Sequence, residues 1–275
     1  MGAFGWSNVA RVFDAVKVIY QPHDKIQLDT FFSQVVDVNR VKPDSGTHND
    51  NFYGLYLATK PWVDYVLDVF FFARHTKNNE IVGELSRHTG QLKEYTIGSR
   101  FKGKYWRFDY GVEWAAQFGS RAHEPIHAWA GHNEVGYTMP KLPWQPRLYF
   151  EFNHASGDDN PTDGRWENFD NLYPTNHLHY GYMDFASWRN MNNLRLGVQA
   201  NPHKKVKLQV DYHWFGLDTN ASAWFNAGQS AIRNRTVGAS RTAGNEIDLL
   251  MNLKLSKTSW STHRLFAFSC GALCR

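Results

Sequence analysis

Basic side chains recur along this chain one residue out of step with apolar neighbours: Lys17, Arg74, Arg100, Lys102, Arg107, Arg147, Arg195, Lys207 and Lys254. Acids share that phase at Asp29, Asp68, Asp109, Glu113, Glu151, Asp211, Glu246 and Asp248. A guanidinium keeps its charge and can pair bidentately with a carboxylate, including that of a uronate sugar. Such groups suit a wet, selectively charged path, which needs no catalytic residue. Each arginine has two possible uses, contacting a solute or bracing a neighbouring acid. No Gly-rich phosphate loop, nucleophile elbow or fixed-spacing acid/base pair accompanies them. His123, His127, His132, His154, His177 and His179 include no pair at a zinc spacing. The expectation is a non-enzymatic protein without a cofactor.

The elements that must carry these charges are strands. In Lys205–Trp214, Val206, Leu208, Val210, Tyr212 and Trp214 fall on one side and Lys207, Gln209, Asp211 and His213 on the other. A period of two is the strand period. The same alternation predicts strands at Arg11–Gln21, Lys25–Val36, Asn51–Thr59, Trp62–Arg74, Tyr95–Lys102, Trp106–Phe118, Ile126–Met139, Arg147–Ala155, Leu194–Ala200 and Glu246–Leu255. A medium loop with Pro125 is expected before Ile126–Met139, where the phase slips near Gly131, which suggests a bulge. Connectors alternate short and long: tight turns such as Pro22–Asp24 and Asn201–Lys204 against long segments at His75–Glu94, Ser156–Asn190 and Leu217–Asn245. A short helix is expected around Ser222–Asn226.

That rhythm is the signature of an antiparallel up-and-down transmembrane β-barrel with a turn side and a loop side. A soluble sandwich also has one apolar face per strand. However, several strands here reach the ~9–11 residues needed to cross a tilted bilayer, and charges recur in mid-strand. Facing lipid at the midplane, an Arg or Lys would cost about 2–4 kcal/mol; facing a wet lumen it costs little. Mean hydropathy is −0.54, which looks soluble, but a barrel strand shows lipid only every second residue. Aromatic residues make up 16% of the 275, enough for girdles at two membrane interfaces. The formal net charge of +4 is too small to point to nucleic acid.

Past the middle of the chain, Phe152-Asn153-His154-Ala155-Ser156-Gly157-Asp158 leads into Asn168-Phe169-Asp170-Asn171-Leu172-Tyr173-Pro174-Thr175-Asn176-His177. Tyr180-Gly181-Tyr182-Met183-Asp184 and Trp188-Arg189-Asn190 follow. These residues resemble the alginate-export family of bacterial outer-membrane barrels, and Leu194–Gly197 and Asp211–His213 resemble its next hairpin. The resemblance covers roughly residues 11–255. It implies a barrel conducting anionic polysaccharide (alginate-like) or acidic sugars through an arginine-lined lumen. The partners it implies are that solute, the lipid bilayer with lipopolysaccharide, and periplasmic export or uptake components.

Within the long Ser156–Asn190 segment, Asp170, Tyr173, His177, Tyr180, Asp184 and Arg189 are candidates for a constriction. Asp158, Asp159 and Asp163 offer clustered oxygens for Ca2+, although the spacing fits no EF-hand and an ordinary turn is the simpler reading. Residues 1–255 are expected to form a partial barrel of about eleven strands. Residues 256–275, with Cys270 and Cys274, form a tail outside its pattern. Met1–Trp6 lacks the features of a secretory signal, so a mature form or an incomplete gene product is expected. Two other readings stand beside the transporter: a soluble β-rich polysaccharide-acting enzyme, and a non-transporting surface adhesin on a barrel scaffold.

Overall fold

The computed structural model describes residues 11–37, 41, 43–173, 177, 179–234, 238, 240–256 and 260–271. Within them one antiparallel sheet of twelve strands follows chain order. The strands are β1 (Phe13–His23), β2 (Ile26–Asp37), β3 (Ser45–Thr59), β4 (Tyr65–Val82), β5 (Thr89–Tyr105), β6 (Phe108–Arg121), β7 (Glu124–Thr138), β8 (Arg147–Ala155), β9 (Met191–His203), β10 (Val206–Gly216), β13 (Thr242–Lys254) and β14 (Trp260–Cys270). A small hairpin, β11 (Trp224–Phe225) with β12 (Ala231–Arg233), lies in the β10–β13 connector. All eleven predicted strands are present, paired with their chain neighbours as an up-and-down sheet requires. Among the described residues β1 and β14 are its two edges.

Alternation sorts the wall into two faces. Outward apolar side chains have no protein cover: Leu196 is 56% exposed, Ile97 50% and Ile247 48%. The inward partners on the same strands are buried or charged, as in the alternating pattern of β5. Aromatic rings mark both ends of the outer face. Phe32, Tyr53, His75, Tyr95 and Phe118 run ring to ring across β2–β6, with centroids 5.2, 5.8, 5.5 and 5.5 Å apart. At the turn ends, Tyr65, Phe101 and Tyr110 form a second row at 5.9 Å spacing, and Phe108 meets Tyr137 at 4.8 Å. On β5 the two rows are marked by Tyr95 and Phe101, ~20 Å apart along the strand at ~3.3 Å per residue.

Five expectations need correction. The β4–β5 hairpin continues to Val82 and Thr89, so the connector after His75 is short; above the band both faces meet water, and alternation no longer marks the strands. β7 pairs with β6 without a register shift from Phe108↔Tyr137 to Arg121↔Glu124, so there is no bulge at Gly131. Instead Ile126, Ala128 and Ala130 point inward because an inserted loop covers them. The β6–β7 connection is a tight turn at Ala122 and His123, both at positive φ, rather than a medium loop. Residues 222–226 contain strand β11, not a helix. Trp260–Cys270 is a twelfth strand, in unbroken register with β13. Its alternation is hidden because Phe266 and Phe268 face inward, opposite Asp248 and Glu246, while Ser261, His263 and Ser269 take outward positions. The second cysteine, Cys274, lies outside the described residues.

Faces sorted in this way respond differently to charge. Leu196→Arg should destabilise the protein by about 2–4 kcal/mol in urea unfolding from lipid vesicles. Gln199→Arg, inward on the same strand, should change stability by less than about 1 kcal/mol.

Candidate functional site

The inner face has two zones, set by what covers it. Toward the loop ends the Ser156–Asn190 segment folds inward and crosses the concave side of the sheet. Phe169 packs with Ala128, Ala130 and Ala155, flanked by Ala115 and Trp188. Small inner side chains on β6 and β7 make room for that ring. The adjacent Asp170 is 5% exposed. Its N–H donates to Gln117 Oε1 at 2.7 Å, and its carbonyl accepts from Gln117 Nε2 at 2.8 Å. Its carboxylate accepts from Arg74 at 2.8 Å and lies 3.6 Å from Arg189. Burial pushes that carboxyl up, but Arg74 and Arg189 outweigh the burial and hold it below the usual carboxylate range.

The segment is anchored on both sides of Asp170. Tyr173 packs edge-on against Phe13 and Phe52 at 5.1 and 4.9 Å, with Arg11 and Arg74 over its ring. On the other side Tyr180 is fully buried, and Tyr182 N–H and Met183 N–H donate to Glu246 Oε1 at 2.6 and 3.0 Å. His177 pairs with Asp184 at 3.0 Å. Arg189 Nε donates to the Phe169 carbonyl at 2.9 Å. Asn190 donates to the Thr219 and Ala223 carbonyls at 3.0 and 2.9 Å, tying in the β10–β13 connector. The segment therefore runs from β1 and β3 to β13; the candidates Asp170, Tyr173 and Arg189 are brought together around Arg74 and Asp170, and Tyr180 packs apart from them with Met191 and Phe215. Pro174, Thr175, Asn176 and Leu178 lie outside the described residues. A cavity of about 130 Å3 remains between the segment and the wall, lined by Phe70, Phe72, Thr96, Glu113, Ala115 and Trp188 among others.

Below the segment, the predicted lumen charges lie mostly in ion pairs. Lys17 pairs with Asp29 at 2.6 Å. Arg74 pairs with Asp50 at 2.8 Å as well as with Asp170, and Arg100 pairs with Asp68. Arg147 is held by Asp109 and Glu134. Arg195, 8% exposed, bridges Glu151 at 3.0 Å and Asp211 at 2.7 Å, and Tyr149 also donates to Asp211. Glu113 faces Arg100 across β5 and β6. Arg107 departs from expectation: it sits in the β5–β6 turn, stacked 4.5 Å over Trp106. Lys102 and Lys207 face inward and have no ion pair among the described residues.

Sequence spacing missed two groups that the sheet assembles. His132 and His179 both reach Glu151, at 3.3 and 3.0 Å, while Asp211, His213 and Asp248 place their ligand atoms within 4.8 Å of one another. The first is a polar brace; in the second, Asp248 lies 3.5 Å from His213 Nε2. Each Nδ1 of the first pair faces a carbonyl or carboxylate oxygen, so it donates. In the second, Asn193 donates to His213 Nδ1 at 3.3 Å, which leaves the ring proton on Nε2. The only sequence signal for either was inward strand phase.

Removing Arg195 would leave two buried carboxylates without their cation. Arg195→Ala should cost about 3–5 kcal/mol in vesicle unfolding. Arg74→Ala should free the inserted segment, read as faster proteolysis between Ser156 and Asn190 while the β-sheet circular dichroism stays intact.

No curated protein sequence matches the chain. In fold it is similar to OccK11 (OpdR) of Pseudomonas aeruginosa, an outer-membrane porin barrel, at 11% identity and a TM-score of 0.56, over 96% of this chain and 67% of that one. The profile described as alginate export matches residues 1–275. An inward-charged, outward-apolar wall, a porin-like fold and a match along the whole sequence agree: the chain belongs to the alginate export family, whose members are outer-membrane β-barrel transport proteins.

Proposed function

We propose that this chain forms the wall and constriction of an outer-membrane path that conducts anionic polysaccharide, alginate-like, or acidic sugars. The observation that carries this reading is the inserted Ser156–Asn190 segment, which packs across the charged inner face of the sheet, where it would narrow the path. Most predicted arginines brace acids on neighbouring strands, so selectivity falls to cations with spare capacity. Lys102 and Lys207 present ammonium groups toward the lumen, and Arg100, whose side chain is 33% exposed, has donors beyond its bond to Asp68. Neighbouring acids keep each contact with a uronate weak, which favours passage over trapping. Lipopolysaccharide would meet the loop-side girdle, and periplasmic components the turn side.

The test is planar-bilayer conductance of the reconstituted chain with and without oligouronates. The expected result is anion preference and reversible current block by oligouronates, with both at least halved in Lys102→Gln/Lys207→Gln. Equal block by neutral oligosaccharides would contradict the acidic-sugar assignment. Loop deletions that abolish surface binding and leave conductance unchanged would favour the adhesin reading instead.

A further inference from the structure

Glu84 lies in the β4–β5 connector with 8% exposure; neither of its carboxylate oxygens accepts from an N–H group, and the polar group facing it is the Asp158 carboxyl. The connector is held by Glu124, which accepts the N–H groups of Glu84, Leu85 and Ser86, the last two at 3.1 and 2.8 Å. Glu84 and Asp158 line the same cavity of about 480 Å3, together with Arg121, Trp166 and Asn168. Asp158 is 3% exposed, and its Oδ1 also lacks a partner. Arg121 does not neutralise them: it stacks 4.1 Å over Trp166 and forms no ion pair with either among the described residues.

Burying a carboxylate without a donor or a counter-ion is costly. Here more negative charge crowds around the pair, from Asp163 and Glu124 at Glu84 and from Asp163 at Asp158. A bound cation would offset this repulsion. The donors are oxygens, and no histidine or cysteine lines the cavity, which suits a hard cation with six to eight oxygen ligands. We propose that Glu84 and Asp158 hold a Ca2+ ion, which clamps the start of the inserted segment to the β4–β5 hairpin. Two carboxylates provide up to four ligands, and water in the cavity can provide the others. This site is independent of which solute the lumen conducts.

The ligands must be deprotonated to bind the ion, so protons compete with the metal as pH falls. The test is Ca2+ titration of the full chain in detergent after chelator treatment, read by thermal midpoint and calorimetry at pH 5 and pH 8. The expected result is one Ca2+ per chain, a rise in midpoint larger at pH 8 than at pH 5, and affinity weakened ~10-fold or more in Glu84→Gln and Asp158→Asn. Two outcomes would overturn the site: no response of the wild-type chain to Ca2+, or wild-type affinity in Glu84→Gln. In the second variant set, Asp159→Asn should keep most of the affinity; loss there equal to that in Glu84→Gln would move the ion away from the proposed pair and overturn the assignment.

Discussion

Backbone hydrogen bonding in hydrocarbon is the constraint on which the structure depends. Every N–H and C=O at membrane depth must find a partner inside the protein, and the sheet meets that demand strand by strand through nearly continuous register from β1 to β14. Once the backbone is committed, side chains have only two destinations. Leu, Ile, Val and Phe go outward to lipid, and the charges go inward. The aromatic rows at Phe32–Phe118 and Tyr65–Tyr137 fall where the two solvents meet. The same constraint applies at the edges, where unpaired groups on β1 and β14 need a neighbouring strand or protein cover if they lie in the bilayer.

Inside the wall, charge serves two roles that burial separates. Arg195 is enclosed between Glu151 and Asp211, and Arg74 between Asp50 and Asp170. These groups trade solute contact for rigidity, and Arg74 extends that rigidity from the wall to the inserted segment. Lys102 and Lys207 lie in the turn-side half, beyond that segment, where water can reach them. Bracing pairs run from under the loops, at Arg74 and Arg195, to the turn side, at Arg147 with Asp109 and Glu134, and the spare charges Lys102 and Lys207 lie among the turn-side ones.

Much of this was legible in the sequence because the period-two signal does not depend on what lies on the inner side. All eleven predicted strands, the short–long rhythm and the lumen phase of Arg100, Arg147 and Arg195 follow from it. The signal failed where the inner surroundings changed. Ile126, Ala128 and Ala130 looked like a phase slip because the inserted segment covers them, Trp166 beside Ile126 and Phe169 over the two alanines, and Phe266 and Phe268 hid β14 by facing inward. The Lys77–Gln91 region lost its alternation above the membrane band. The gathering of His132, His179 and Glu151, or of Glu84 with Asp158, joins residues far apart in the chain. Only the long-range pairing of the strands and the inserted connectors brings such residues together, and a local pattern cannot report it.

The most direct test of the sorted wall is to place single spin labels at consecutive positions from Val206 to Trp214 in the bilayer-reconstituted chain. Accessibility to oxygen, which partitions into lipid, is then compared with accessibility to a water-soluble nickel chelate. The account predicts a period of two, with oxygen favoured at Val206, Leu208, Val210, Tyr212 and Trp214, and low oxygen access at Lys207, Gln209, Asp211 and His213. Uniform access to the aqueous reagent along the strand would contradict it.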